Sequence, residues 1–206
     1  MSDWDILLLD ISGSMTKSKN DLINGFNELV NEQQKEKGDN LFTVLTFNDE
    51  VELFKEDKFK NFKAISGLDI ITEGTTALYD AIGNAYDMIL ENKKHKSVTL
   101  TVITDGLENG SKIYTIDVLN NKKKEVDKFY TIEMVFIGTD ISCITGDTIE
   151  LHASQRIDCD GNIHKALRIA SREMSSRRDS ARYTQDESCL LSVKSQGLKR
   201  SRSFPL

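Results

Sequence analysis

The chain has 206 residues, 38% of them hydrophobic, and a formal net charge of −6, which is typical of one globular domain with some additional sequence. No stretch approaches the roughly 20 consecutive apolar residues of a membrane-spanning helix, and the acidic amino terminus does not resemble a signal peptide. Three widely spaced cysteines without a Cys-x-x-Cys pair argue against a disulfide framework and a zinc site, so we expect a soluble cytoplasmic protein.

The first predicted strand ends in a group of oxygen-bearing side chains. Ile6 to Leu9 is an unbroken apolar run, which predicts a strand buried on both faces of a parallel sheet. The following Asp10-Ile11-Ser12-Gly13-Ser14 places a carboxylate and two hydroxyls at every second position. Ligands of open α/β sheets bind at the carboxyl ends of strands, and these groups suit Mg²⁺ or Mn²⁺. Alternatively, the same residues only form turns and cap the next helix.

The next elements are a helix and a hairpin. Apolar residues at helical spacing predict a helix that packs one face on the sheet: Leu22, Ile23, Phe26, Leu29 and Val30. Leu41 to Phe47 is rich in β-branched and aromatic residues and predicts a strand. After a turn, Val51 to Phe54 predicts a short second strand of a hairpin at the sheet edge. The charged segment from Lys55 to Lys63 is predicted to be a solvated connection.

A second polar loop precedes the next helix. The apolar positions that follow Leu78 repeat at helical spacing and predict an amphipathic helix. Gly74-Thr75-Thr76 lies immediately before it. Either threonine could cap this helix through its hydroxyl, and either could contribute that hydroxyl to a site at the sheet edge.

A third loop follows another buried strand. Val98 to Thr104 predicts a central strand, and Asp105-Gly106 follows it directly. Asp-Gly is a common turn signal when it stands alone, but here it lies in the layer of Asp10 if the two strands are parallel. Later elements are a helix over Ile116 to Phe129, strands over Ile132 to Ile137 and Ile149 to Ala153, and a last helix from Asn162. Alternating strands and helices predict a doubly wound sheet with one antiparallel edge strand.

The carboxyl-terminal part differs in charge from the rest. Residues 1–167 contain 18 Lys and Arg against 29 Asp and Glu, whereas residues 168–206 contain 9 against 4. The larger part is too acidic to bind nucleic acid on charge grounds. From residue 176 the sequence is basic and rich in Ser and Arg, with one apolar patch at Cys189-Leu190-Leu191. We predict a folded domain over 1–175 and a flexible basic extension over 176–206.

These motifs together resemble the von Willebrand factor type A domain and its metal-ion-dependent adhesion site. The family's DxSxS motif is present as Asp10-Ile11-Ser12-Gly13-Ser14, and its Gly-Gly-Thr loop is similar to Gly74-Thr75-Thr76. Its acidic residue after a buried strand looks like Asp105. The resemblance covers residues 3–175 with the motifs in family order. Thr75 replaces the second glycine of the usual loop, so Thr75 and Thr76 are alternative metal ligands.

The resemblance implies a Rossmann-like α/β fold with a mostly parallel sheet and helices on both faces. It also implies a site for Mg²⁺ or Mn²⁺, in which Ser12, Ser14 and Thr76 coordinate the ion through their hydroxyls. Asp10 and Asp105 would hold the ion directly or through water. An Asp or Glu carboxylate of a partner protein would supply the last oxygen. The implied function is therefore metal-dependent protein binding without catalysis, in a stand-alone domain similar to small intracellular bacterial or viral members.

Two other classes of function compete with this one. A phosphatase of the haloacid dehalogenase type also has an Asp after its first strand, but it needs a second acid two residues later, where this chain has Ser12. The three histidines do not form a recognisable Ser-His-Asp or Cys-His set. The remaining alternative is an assembly or scaffold protein that has the fold and uses other surfaces, such as the basic extension, without a metal.

Overall fold

The computed structural model describes residues 4–36, 40–138, 155–159 and 161–177. Six strands form one sheet in the order β3-β2-β1-β4-β5-β6. They are β1 (Trp4–Asp10), β2 (Leu41–Phe47), β3 (Val51–Lys58), β4 (Ser97–Thr104), β5 (Thr131–Gly138) and β6 (Gln155–Asp158). Neighbouring strands are parallel except β2 and β3, which are antiparallel. The predicted doubly wound α/β fold with one antiparallel edge strand is confirmed.

Helices cover both faces of the sheet. They are α1 (Lys19–Gln33), α2 (Leu78–Glu91), α3 (Ile116–Val126) and α4 (residues 163–177). One apolar core joins alternate residues of β1, such as Ile6 and Leu8, to α2 and α3. The other core joins Leu7 and Leu9 to α1 and α4. The two cores follow from the twofold alternation of side chains along a strand. Among the residues with described structure, no helix has the length and apolar character to span a membrane.

The central strand β1 fixes the position of the predicted site. All seven of its residues are buried, and burying a large apolar side chain contributes about 1.5–3 kcal/mol. Its register places Asp10 beside Phe47 of β2 and Leu9 beside Ile103 of β4. The polar loops that follow β1 and β4 therefore begin at the same edge of the sheet.

The edge of the sheet is longer than the sequence pattern predicts. β3 continues to Lys58 instead of ending at Phe54, because its backbone pairs with β2 as far as Leu41. Charged residues are common on such edge strands, where one side faces water. The segment after β3 is also not a purely solvated connection, since Phe59 is buried and stacks on Phe42 with ring centroids 4.1 Å apart. The segment contains only two apolar residues among charged ones, and these do not form a pattern from which its packing on the core could be predicted.

Some predicted features lie outside the described residues. These are the edge strand over Ile149 to Ala153, Cys143, and all of the basic extension after residue 177, including Cys189. Residues 176 and 177 still belong to α4. Cys159 is a buried free thiol that donates to the backbone oxygen of Gly138 at 3.2 Å.

Helix α2 lies very close to the segment that follows β4. A Cβ on Gly83 would lie 2.4 Å from Cγ of Tyr114. The Tyr114 ring is held at both ends, because its backbone nitrogen donates to Asp80 and its hydroxyl donates to Asp87. We therefore expect that Gly83→Ala lowers the free energy of unfolding by about 2 kcal/mol, since overpacking outweighs the better helix propensity of alanine.

The measurement is urea unfolding, and Gly67→Ala is the matched control. The Cβ of that variant would lie 4.0 Å from its nearest neighbours, so it should leave stability unchanged or raise it slightly. Equal stability of Gly83→Ala and the wild-type protein would contradict the close packing of α2 on Tyr114.

Candidate metal centre

Asp10 lies at the buried end of β1 with both carboxylate oxygens engaged. The backbone nitrogen of Ser12 donates to Oδ1 at 2.7 Å, and the hydroxyl of Thr104 donates to Oδ2 at 2.5 Å. The first bond forms within the loop, and the second comes from the last residue of the neighbouring strand β4. The carboxylate is therefore held in one orientation at the boundary between the two strands.

The first and third predicted loops meet through their side chains. The hydroxyls of Ser12 and Ser14 are 3.0 Å apart, and Ser14 donates to Oδ1 of Asp105 at 2.5 Å. A 3₁₀ helix, Gly13–Ser18, follows Ser12, but the Ser12 side chain makes no capping hydrogen bond to it. The serines are thus used in contacts within the polar cluster, and the capping alternative does not describe Ser12.

The structure distinguishes the two threonines of the second loop. A Cβ on Gly106 would lie 3.0 Å from Oγ1 of Thr76 and 3.7 Å from Oγ of Ser14, so both hydroxyls face the same point beside Asp105. Thr76 is buried, whereas Thr75 is exposed. The Thr75 hydroxyl would instead lie 2.4 Å from a Cβ on Gly110. Of the two alternatives, Thr76 is the one that joins the cluster.

Neither threonine caps the following helix. The residue before α2 is Ala77, which has no side chain that can cap the helix. The nitrogens of Tyr79 and Asp80 in the first turn donate to Glu108 and Ser111 of the third loop. The backbone nitrogen of Thr76 instead donates to Oδ1 of Asn109 at 2.8 Å. The backbone nitrogen of Asn109 donates in turn to the backbone oxygen of Thr76 at 3.1 Å. The backbone of Thr76 is therefore bound to the third loop, which holds its side chain toward Ser14.

Backbone hydrogen bonds also join the first and second loops. Gly13 donates to the oxygen of Gly74 at 3.1 Å, and Glu73 donates to the oxygen of Ile11 at 3.0 Å. Gly74 has φ = +77°, and a Cβ there would lie 1.9 Å from Oδ1 of Asp49. Glycine is required at this position for both conformation and space.

Two acidic residues that the sequence analysis did not single out hold the third loop in place. Asp80, in the first turn of α2, accepts hydrogen bonds from the backbone nitrogens of Lys112, Ile113 and Tyr114 at 2.8–3.0 Å. Glu108 accepts from the backbone nitrogens of Gly110, Ser111 and Tyr79 at 2.8–3.0 Å. An acid in the first turn of a helix is too common to identify such a role. Thr104, which donates to Asp10, had no sequence signal for this role apart from its position at the strand end, immediately before Asp105.

The electrostatic state of the cluster favours a cation. The pKa of Asp10 is raised from 3.8 to about 6, chiefly because the carboxyl is buried and to a smaller extent because Asp105 is negatively charged; the hydrogen bonds from Thr104 and Ser12 oppose this rise. The nearby charge that shifts this carboxyl is thus a second carboxylate. A bound cation would relieve both the desolvation and the repulsion.

The side chains present fit a hard divalent ion. They are two carboxylates and three hydroxyls, the oxygen donors that Mg²⁺ and Mn²⁺ prefer. Within the part of the chain that the structure describes, there is no group of three or more His, Cys, Asp or Glu that could hold a metal. The candidate site therefore depends on its hydroxyls, and its five residues are Asp10, Ser12, Ser14, Thr76 and Asp105.

Comparison with known proteins agrees with this architecture. Residues 6–108 match the family model described as von Willebrand factor type A domain. The search of curated proteins gave no significant match.

Solved structures share the fold at low sequence identity. A von Willebrand factor type A protein from Catenulispora acidiphila is 14% identical with a TM-score of 0.58, over 82% of this chain and 42% of that one. The von Willebrand factor domain of the type V pili tip protein Mfa5 from Porphyromonas gingivalis is 9% identical with a TM-score of 0.60, over 84% and 95%. Proximal thread matrix protein 1 of the mussel byssus, with a zinc-occupied MIDAS motif, is 16% identical with a TM-score of 0.50, over 82% and 45%. This chain therefore spans less than half the length of the Catenulispora protein and of the mussel byssus protein.

The raised pKa of Asp10 leads to a prediction for the metal-free protein. A folded-state pKa above the ordinary value means that stability falls as the pH rises from about 4 to about 6. At pH 7.5 in EDTA, the ionised carboxyl thus destabilises the fold by at most roughly 3 kcal/mol. Asp10→Asn should then be at least as stable as the wild-type protein, because the amide can still accept from Ser12 and can donate to Thr104.

Thermal unfolding in EDTA at several pH values measures this effect. The difference between the variant and the wild-type protein should shrink as the pH falls from 7.5 to 4, where the native carboxyl is protonated. A variant that is clearly less stable at pH 7.5 would show that the ionised carboxylate stabilises the metal-free fold.

Proposed function

Because the chain belongs to the von Willebrand factor type A family, we propose that it is a metal-dependent protein-binding module. A divalent cation would be held at the candidate metal centre and would accept a carboxylate oxygen from an Asp or Glu of a partner protein. The observation that carries this proposal is the hydrogen-bonded series Ser12–Ser14–Asp105, which lies beside the buried Asp10.

Each residue of the centre has a role in this proposal. The hydroxyls of Ser12, Ser14 and Thr76 would ligate the ion without adding charge. Asp10 and Asp105 would neutralise it, directly or through water. Mg²⁺ takes about six oxygen ligands and usually keeps some water, so five side chains leave a position for a partner. The zinc-occupied MIDAS motif of the mussel byssus protein supports a divalent cation in a related fold.

We propose binding in preference to catalysis. The oxygens of Asp10 are engaged by Ser12 and Thr104, which makes this carboxylate a poor nucleophile. Within the described part of the centre, the side chains are carboxylates and hydroxyls without a histidine or cysteine. These residues therefore do not include a Ser–His or Cys–His pair of the kind that many hydrolases use.

Metal binding can be tested with the threonine pair. We expect millimolar Mg²⁺ or Mn²⁺ to raise the unfolding temperature of the wild-type protein relative to EDTA, since a ligand at a hundredfold excess over Kd adds about 2.7 kcal/mol. Thr76→Val should abolish the rise, because it removes the hydroxyl beside Ser14. Thr75→Val, the matched control, should retain it, because the Thr75 hydroxyl lies against Gly110. Equal responses of the two variants would contradict the assigned ligand.

Partner binding requires a separate experiment. The tagged protein is used to capture proteins from a lysate in Mg²⁺ and in EDTA, beside the Asp10→Ala/Ser12→Ala variant. We expect a partner that is retained only by the wild-type protein with Mg²⁺ and that is lost when the partner's carboxylates are converted to amides. A partner retained equally in EDTA and by the variant would favour the scaffold alternative, in which the fold binds without a metal.

A further inference from the structure

A groove lies directly beside the candidate metal centre. It has a volume of about 580 Å³ and lies between the hairpin that joins β2 to β3 and the segment 69–74. Ile11 and Gly74 line it, and the loops that contain these two residues also form the metal centre. The groove is therefore a second surface on the same edge of the sheet.

The groove has an apolar part and an acidic part. The apolar side chains that line it are Ile11, Phe54, Ile70 and Ile71. The acidic ones are Asp49, Glu50, Glu52, Asp69 and Glu73. None of its described lining residues is Lys, Arg or His. The Nζ of Lys112 donates to the backbone oxygen of Asp49 at 3.4 Å, so the negative charge at one end of the groove is partly compensated.

The apolar side of the groove is accessible, since Ile11 and Phe54 are only half-buried. Ile71 is 64% exposed although its neighbour Ile70 is buried in the core with α1 and α4. Four of the five acids, Glu50, Glu52, Asp69 and Glu73, are also exposed. An exposed apolar surface with a charged border is typical of a site that binds a segment of opposite charge.

The sequence of this chain contains a segment with the complementary pattern. Residues 178–206 include six basic residues against three acidic ones. The basic residues are Arg178, Arg182, Lys194, Lys199, Arg200 and Arg202. They stand on both sides of Cys189-Leu190-Leu191. Asp186 and Glu187 lie shortly before the apolar patch, whereas the four basic residues that follow it are not interrupted by an acid. The order apolar–basic from Leu190 onward matches a groove with an apolar part and acidic walls.

The covalent connection is long enough for this contact. Arg177, the last described residue of α4, forms an ion pair with Glu133 near the start of β5, so α4 reaches the end of the sheet opposite the groove. The seven residues of β1 span about 23 Å at 3.3 Å per residue. The twelve residues from 178 to 189 can extend to roughly 40 Å. Attachment to the same chain gives an effective concentration on the order of millimolar.

We propose that residues 178–206 bind in this groove of their own chain. Leu190 and Leu191 would cover the apolar part, and the Lys and Arg residues that follow them would contact the acidic walls. The contact requires no metal, so it can be tested on the metal-free protein, and its outcome is independent of the metal-dependent function proposed above.

Zero-length cross-linking of the full chain tests the contact. A carbodiimide joins a lysine amine to a carboxylate only where the two touch, and mass spectrometry identifies the linked pair. For protein freed of metal with EDTA and then exchanged into a low-salt buffer without carboxylates or amines, we expect links from Lys194 or Lys199 to Asp69 or Glu73. A mixture of ¹⁴N and ¹⁵N chains separates links within one chain from links between two copies.

Two charge-matched variants show whether the groove is responsible. Glu50→Lys/Glu52→Lys reverses one wall and leaves Asp69 and Glu73 available, so links to these two should fall at least about fivefold. Glu91→Lys/Glu125→Lys changes the net charge equally on the opposite face, near the ends of α2 and α3, and should leave the links intact. Circular dichroism confirms that each variant is folded.

A third variant tests the apolar part of the contact. Leu190→Ser/Leu191→Ser should also reduce the links, although it changes no charge. Three results would each overturn the proposal: no links to Asp69 or Glu73, links only between two copies, or links spread evenly over acids on all faces. Equal yields from the two charge variants would also overturn it.

Discussion

The end of the central strand holds a carboxylate out of water, and the arrangement of the surrounding loops depends on this feature. Asp10 is buried between β1 and β4, where the Ser12 nitrogen and the Thr104 hydroxyl both donate to it. Burial of an anion is costly, so these donors reduce the cost without removing it. Ser14 and Asp105 extend the same hydrogen-bonded group. The polar cluster is thus a region of concentrated negative charge that the core on either side keeps in position.

The sequence predicted the strands at the centre of the sheet and the residues at their ends. The β-branched and aromatic run of Leu41–Phe47 has the same bounds in the structure, because a strand that is buried almost throughout is composed of residues of high strand propensity along its whole length. The end of β3 was not predictable in this way. Its last residues, Lys55 to Lys58, are stabilised by backbone pairing with β2, and backbone pairing leaves no pattern in the side chains of an edge strand.

The candidate site shows the same division between local and long-range information. Asp10 ends β1, Asp105 directly follows β4, and Ser12 and Ser14 lie within four residues of Asp10. Their convergence was therefore predictable from the parallel order of the two strands. The choice between Thr75 and Thr76 was not predictable from the sequence. It depends on how Asn109, 33 residues further along the chain, binds the backbone of Thr76. Asp80 was missed for a similar reason. Its partners are backbone nitrogens of Lys112 to Tyr114, and backbone groups carry no sequence signature.

The contact of Asp80 with three successive backbone nitrogens has a consequence for selectivity. A loop that must become ordered during binding loses conformational entropy, on the order of 1–2 kcal/mol for each residue that is fixed. The loop after β4 is already held against α2, because Asp80 of α2 accepts from Lys112 and Glu108 of the loop accepts from Tyr79. This entropy is therefore lost when the protein folds, before any binding. A molecule that docks on this edge of the sheet encounters a surface of nearly constant shape. Discrimination between similar molecules then rests on complementarity of shape and charge, because little of the binding energy is consumed in forming the surface itself.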